Sequence, residues 1–252
     1  MIYFGPAGLG GVNEAISNLE KYHELGLKAC EIAFTYSIYL KKQDAIEIGK
    51  IAKKLGIFLS IHAPYFINLN SDDKKKIEAS KKRILDSCMI AHYLGAKRVV
   101  FHSGFYGKIS KEQTYENIKK EIIEMLEEVK KNKWDVELCP EVMGKKNVFG
   151  SIEEISKLAK ETKCGFCIDF AHILARYENY DFDLVKESFP QEKWQCHFSG
   201  IEYGDKGEKN HKKTSKDEWK KVLAGIPKNK DIVIINESPF PVEDSIEGLK
   251  LS

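Results

Sequence analysis

The feature that most limits how this chain can fold is an eightfold alternation of short β-branched or aromatic runs with capped helical stretches. The runs are Ile2 to Phe4, Ala29 to Phe34, Phe58 to Ile61, Arg98 to Phe101, Val136 to Leu138, Phe166 to Ile168, Trp194 to Phe198 and Ile232 to Ile235. Each is short and apolar at successive positions, as strands buried on both faces are. Between them, helices are expected from an Asn13 cap to Leu25, from Gln43 to Leu55 and from Asp72 to Leu94, each followed by Gly. Later helices open on capping boxes: Ser110 with Gln113, Ser151 with Glu154 and Ser215 with Glu218. Eight β/α units in 252 residues, with no Gly/Ser/Pro-rich linker, predict an α/β chain forming a single domain over 1–252, a closed (β/α)8 barrel. The rival is an open doubly wound sheet, but the early GPAGLGG lacks the G-x-G-x-x-G spacing such sheets carry. Only PVEDSIEGLKLS follows the last strand, so the last helix must be small.

Charge offers no shortcut to function. With 40 Lys+Arg against 38 Asp+Glu, an anionic ligand would have to be held by a local site and not by the field of the whole molecule. No apolar run approaches the roughly 20 residues of a membrane span, and MIYFGPAGLG lacks a signal-peptide pattern, so a cytoplasmic, membrane-free protein is expected. The six cysteines then read as reduced thiols. Cys164 and Cys167 form the one C-x-x-C. Residues three apart on a strand face opposite ways, so this pair is read as buried core and not as a metal or redox motif.

Polar residues collect where the strands end. In such a barrel, the C-terminal strand ends share one mouth. The third run ends in SIHAPY with His62, the fourth in VVFHSG with His102, and the fifth leads to LCPEV with Glu141. The sixth ends in CIDFAH with Asp169 and His172, the seventh in CHFSG with His197, and the eighth in INESP with Glu237. His62, His102, His172, His197 and His211 sit at these ends or just beyond, whereas His23 and His92 fall within helices and read as structural. A mixed imidazole and carboxylate shell without cysteine suits borderline divalent cations such as zinc, and eight or nine ligands leave room for more than one ion.

The strings SIHAPYFINL, VFHSG, PEVMGKKNVFG, CIDFAHILA, HFSGIEYGDKGEKNH and NESP, in this order across most of the chain, resemble the endonuclease IV family of abasic-site DNA repair enzymes. That family belongs to the xylose-isomerase-like TIM barrel superfamily. The resemblance implies a trinuclear zinc centre, with manganese or iron as substitutes. His62 and His102 would bind the first metal, and Glu141 would bridge it to the second. Asp169, His197 and Glu237 would complete the second shell, and His172 and His211 would bind the third metal. The family's third metal takes an aspartate two residues before the last histidine, where this chain has Lys209; a protonated lysine cannot ligate, so Glu208 is the expected substitute. The resemblance further implies hydrolysis of the phosphodiester 5′ to an abasic site in damaged double-stranded DNA, with Glu141 and Glu237 as catalytic carboxylates. Tyr65 and Phe66 would be DNA-binding wedges. No arginine follows the second strand, where Tyr36, Tyr39, Lys41 and Lys42 stand instead. A monomer is expected.

Two other readings compete. Glu141, Asp169, His197 and Glu237 alone would fit a one-metal sugar isomerase or epimerase of the same superfamily, but His62, His102, His172 and His211 have no necessary role there. A barrel that binds damaged DNA without turnover would also fit the Lys209 departure.

Overall fold

The computed structural model describes residues 1–252. In chain order the elements are β1 (Ile2–Pro6), α1 (Ala15–Glu24), β2 (Ala29–Ala33), α2 (Lys42–Leu55), β3 (Phe58–His62), α3 (Lys74–Leu94), β4 (Arg98–Phe101), α4 (Lys111–Lys131) and β5 (Glu137–Pro140). There follow α5 (Ile152–Thr162), β6 (Cys167–Asp169), α6 (Phe170–Tyr177), α7 (Phe182–Ser188), β7 (Lys193–Phe198), β8 (Gly200–Gly204), β9 (Gly207–Lys212), α8 (Lys216–Gly225), β10 (Asp231–Asn236) and α9 (Pro241–Leu251). No helix is long and apolar enough to cross a membrane.

Eight of the strands are parallel and form two four-stranded arcs, β1-β10-β7-β6 and β2-β3-β4-β5. Single parallel bridges, Ala7 to Glu31 and Glu141 to Cys167, join the arcs into a closed barrel. All eight expected strands are present, each within two residues of its expected start and end. The β8–β9 hairpin and the short α6 and α7 are additions the sequence pattern did not announce. α9 has 11 residues, as many as α5 and more than the 10 of α1 and α8, so the last helix is of ordinary length and not small as expected.

Most helix ends behave as their residues dictate. Ser151 and Ser215 form full capping boxes with Glu154 and Glu218. Ser110 accepts from the Gln113 N–H, but the Gln113 amide donates to Asn117, so the reciprocal half of that box is not made. Asn13 does not cap α1, which corrects the expectation. The N-cap is Glu14, whose carboxylate turns back to accept from the Gly11 N–H and leaves the helix to begin at Ala15.

Strand parity sorts the core. Outward residues such as Ile32, Ile61, Val99, Phe101, Leu138, Ile168, Trp194 and Ile234 join the large apolar layer beneath the helices. Their neighbours line the barrel interior in two small clusters, Ala29, Val233 and Ile235 on one side and Val100, Cys139 and Cys167 on the other. Cys164 packs in the outer layer and Cys167 in the inner one, as the three-residue spacing requires. All six cysteines are free and buried.

Candidate metal centre at the barrel mouth

Side chains alternate with period two along a strand, so a residue two places beyond an interior one also faces the interior. Val100, Cys139, Cys167 and Ile235 are interior, and two places beyond them stand His102, Glu141, Asp169 and Glu237. His62 stands two beyond the buried Ser60, and His197 two beyond the buried Gln195. The sequence therefore delivers six ligand-type side chains to one ring because their strands end in phase.

The ring resolves into groups whose potential ligand atoms lie within 4.8 Å of one another: His62, His102 and Glu141; then Glu141, Asp169, His197 and Glu237; then His172, Glu208 and His211. Glu141 is common to the first two and is wholly buried, with His102 Nε2 3.0 Å and His62 Nε2 3.3 Å from Oε2, and His197 Nδ1 3.2 Å from Oε1. A further combination replaces Asp169 and Glu237 with the buried thiol of Cys167. Burial and the nearby carboxylates push that thiol well above its ordinary pKa in the metal-free protein.

The third group depends on local irregularity. Glu208 and His211 are three apart on β9 and would face opposite sides of a regular strand. The hairpin pairs Glu202 with Asn210 but Tyr203 with Glu208, which leaves Lys209 as the extra residue of a β-bulge and returns both side chains to one face. The hairpin docks on the β5–α5 loop through Glu208 N–H to Gly144 O (3.3 Å) and Lys146 N–H to Lys206 O (3.1 Å). Both contact glycines are required. A Cβ on Gly144 would lie 2.8 Å from the Glu208 Cβ, and one on Gly207, at φ +90°, would lie 2.1 Å from the Gly144 carbonyl oxygen. Arg176 of α6 steadies the same loop by donating to the carbonyls of Met143, Lys145 and Val148.

Hydrogen bonds leave lone pairs facing carboxylates. His62 Nδ1 donates to the Ala63 carbonyl (2.8 Å) and His172 Nδ1 to the Val142 carbonyl (3.0 Å). His211 Nδ1 donates to Ser199 Oγ (2.6 Å), whose own proton goes to the Gly200 carbonyl. In each neutral ring Nε2 is then a bare acceptor, and His62 Nε2 faces Glu141 while His172 Nε2 lies 3.3 Å from Glu208 Oε2. Asp169 Oδ2 and Glu208 Oε2 are buried with no hydrogen bond. Acceptor facing acceptor in a buried site demands either protons or cations.

The proton affinities carry the same message. Burial alone would lower the pKa of His62, but its contact with Glu141 and the charges of Glu141, Glu31 and Glu237 raise it to about 9. His172 and His197 are likewise driven well above the ordinary imidazole range against burial, His172 first by Asp169. Burial pushes Asp169 up to about 6, whereas Glu237, which burial alone would raise, is drawn down to about 2 by His197. Burial opposes ionisation of Glu141 too, yet the His197 and His102 rings hold it well below the usual carboxylate range. The donor set fits divalent cations of the zinc, manganese or iron type.

Tyr65 and Phe66 stand exposed at the rim, Tyr65 with its ring stacked 5.8 Å from that of His102 and Phe66 6.1 Å from Tyr36. Sequence reasoning passed over Glu31, which is fully buried on β2 beside His197. Its signal was a carboxylate inside the otherwise apolar run ACEIAF. A cavity of about 740 Å³ opens at the opposite end of the barrel, around Tyr3, Phe58, Arg98 and Asp231, and is lined by none of the ligand-type side chains of the three groups.

Comparison with known proteins agrees with this architecture. Residues 19–235 match the family model described as xylose isomerase-like TIM barrel. An uncharacterized protein of Methanocaldococcus jannaschii is 33% identical over 99% of this chain and 88% of its own length. A probable endonuclease 4 of Metamycoplasma arthritidis is 26% identical over 74% of this chain, which spans 60% of that protein. Among solved structures, endonuclease IV from Thermus thermophilus superimposes with a TM-score of 0.70 at 20% identity, covering 99% of this chain and 97% of that one. A D-psicose 3-epimerase superimposes as well, at 0.71 and 17%, covering 98% and 97%. The extent of the family match, the closed parallel barrel and the ligand ring at its mouth together make this chain a member of the xylose isomerase-like TIM barrel family.

Proposed function

We propose that this protein is a metal-dependent endonuclease that hydrolyses the phosphodiester 5′ to an abasic site in double-stranded DNA. The observation that carries the reading is the third ligand group, His172, Glu208 and His211, standing beside the two that share Glu141. A one-metal isomerase has no use for it. The similarity to probable endonuclease 4 proteins supports the same choice.

His62, His102 and Glu141 would hold one ion, Glu141, Asp169, His197 and Glu237 a second, and His172, Glu208 and His211 a third. Bound there, zinc or a similar cation would supply Lewis-acid polarisation of the phosphoryl group and a nucleophile drawn from water at neutral pH. The chain's own groups do the rest. Lys145, Lys146, Lys206, Lys209, Lys212 and Lys213 are exposed on the β5–α5 loop, the hairpin that docks on it and the residue that follows, where they would pair with backbone phosphates. Tyr65 lies beside His62 and His102, the exposed Phe66 lies beside Tyr36, and both rings would enter the duplex as an abasic nucleotide leaves it. Such a nucleotide has no base to unstack, so its extrusion into the mouth costs little. Glu237 is the quartet's solvent-reached carboxylate, with 20% of its side chain exposed. It would accept a hydrogen bond from the attacking water and orient it.

A second reading has its own support. The quartet Glu141, Asp169, His197 and Glu237 would suffice for a metal-dependent sugar epimerase, and the D-psicose 3-epimerase superimposes as well as the endonuclease does. The test is an end-labelled duplex carrying one tetrahydrofuran abasic analogue, which resists β-elimination, incubated with zinc-loaded and chelator-treated protein. Chelator-sensitive nicking immediately 5′ to the analogue is expected. Intact duplex, with one ion per chain and interconversion of ketose epimers, would transfer the assignment to the second reading.

A further inference from the structure

Three of the ring histidines have one nitrogen fixed by a neighbour and the other turned to the carboxylates. In His62, His172 and His211 the fixing acceptor is neutral: a carbonyl, a carbonyl and a hydroxyl. His197 differs. Its Nε2 lies 2.9 Å from Glu31 Oε1, within contact distance but outside hydrogen-bond geometry, and both atoms are buried with no hydrogen-bond partner. Both residues are fully buried in the barrel interior, Glu31 on β2 and His197 across the barrel on β7.

We propose that Glu31 is a positioning residue that, after a small turn of the ring, accepts a hydrogen bond from His197 Nε2–H and thereby presents Nδ1, as a bare lone pair, to the ion of the Glu141, Asp169, His197 and Glu237 group. This rests on the metal reading of that group and not on what the protein cleaves. Nδ1 already lies 3.2 Å from Glu141 Oε1 and 3.5 Å from Glu237 Oε2, so the second ring nitrogen is aimed where the ion would sit. A carboxylate behind a ligating imidazole fixes its tautomer and raises its basicity more than a neutral acceptor does.

The other side of Glu31 explains why a carboxylate is needed there. Ser60 Oγ donates to Oε2 at 2.7 Å and the Gln195 amide donates to the same oxygen at 3.3 Å. Gln195 is held in turn, its carbonyl oxygen 3.2 Å from an Arg98 guanidinium nitrogen, so its amide must face Glu31. A glutamine at 31 would be forced to turn its carbonyl toward those two donors and its NH2 toward His197. That NH2 would donate to Nε2 and drive the ring proton to Nδ1, the nitrogen the ion requires. Glu31→Gln therefore keeps shape and most hydrogen bonds while it reverses the tautomer.

The experiment needs no DNA. Metal-free wild type, Glu31→Gln and Glu31→Asp are titrated with Co(II) and followed by visible absorption, with thermal melting of the metal-free forms alongside. Glu31→Gln is expected to weaken one Co(II) site by about 10- to 100-fold and to alter its absorption band, with melting close to wild type and partial recovery in Glu31→Asp. The tautomer is read directly, without relying on a variant's folding, by 15N-histidine NMR of zinc-loaded wild type, the His197 resonance being assigned by its loss in His197→Asn. A proton on Nε2 is expected. Equal Co(II) affinity and spectrum in Glu31→Gln, or a proton on Nδ1 of His197, would overturn the inference. Wild type that binds no Co(II) would overturn the metal reading with it, whereas absent DNA cleavage with these results intact would leave Glu31 in its role and remove only the substrate.

Discussion

The barrel wall and the β8–β9 hairpin each bring ligands to the mouth, and they do so by different physics. On the wall, His62, His102, Glu141, Asp169, His197 and Glu237 owe their convergence to parity along strands that hydrogen-bond into a closed cylinder, a positioning that no single residue controls. On the hairpin, Glu208 and His211 share a face because one extra residue bulges, and they reach His172 because two glycines let the hairpin touch the β5–α5 loop. The wall should resist change everywhere except at its ligands, and the hairpin should be editable in units of one residue.

The largest effect is expected at Glu141, the carboxylate common to both wall groups. Glu141→Gln keeps volume and buries no new charge, yet it removes the negative carboxylate whose two oxygens face four rings, two each. Cleavage of the abasic-analogue duplex should fall by at least about 100-fold, the lower range for loss of a group that organises transition-state charge. The circular dichroism spectrum should be unchanged. Retained activity in this variant would break the mechanism and, with it, the privileged status of the wall.

Protons should separate from metal in a defined window. In the metal-free protein, His62 holds its proton up to about pH 9 and Asp169 up to about pH 6, and ligation requires both groups to be deprotonated. Affinity for Zn(II) should therefore rise with pH, most steeply below about 6, where Asp169 gives up a proton along with the raised rings of His62, His172 and His197, and less steeply above it, where only the rings do. Calorimetry in buffers of different ionisation enthalpy counts the released protons. A count of zero at pH 7 would show that the rings do not carry the charge assigned to them.

How much of this was legible in the sequence follows the same division. The wall could be read in advance because strand parity is local. The residue two places beyond an interior position is interior too, and SIHAP, VVFHSG and CIDFAH place a ligand there in plain view. Glu31 escaped because it lies at the middle of its strand and not at the end, and only the closed barrel brings it against His197. The hairpin escaped because HFSGIEYGDKGEKNH carries no apolar alternation to mark strands. Glu208 was expected only as a chemical substitute for the aspartate whose place Lys209 takes, since nothing in the spacing of EKNH announces a bulge.

Removing one hairpin ligand sharpens the contrast at intermediate magnitude. Glu208→Ala takes a carboxylate from the third group and touches neither of the others. Metal analysis of the purified variant should find one ion fewer per chain, with the affinities of the remaining sites within about threefold of wild type, because the wall ligands keep their hydrogen bonds. Loss of all bound metal would mean that the three groups act as one unit, and the division drawn above would fail.

The smallest expected effect is the most specific to the bulge. In β9 the pairings run Tyr203 with Glu208 and Glu202 with Asn210, so deletion of Lys209 would bring Asn210 into the next regular position opposite Glu202. The pairs on either side, Gly204 with Gly207 and Ile201 with His211, would need no shift in register. Glu208 and the histidine would then stand two apart on an unbulged strand and still face the same way. The variant should bind as many ions as wild type and melt within a few degrees of it, the range expected of roughly 1 kcal/mol in a chain of this size. Insertion of a second residue beside Lys209 should have the opposite result, since it turns either Glu208 or His211 to the far face and empties the third group. If the deletion loses an ion and the insertion does not, the hairpin is placed by something other than its register, and the bulge is a consequence of metal binding instead of its cause.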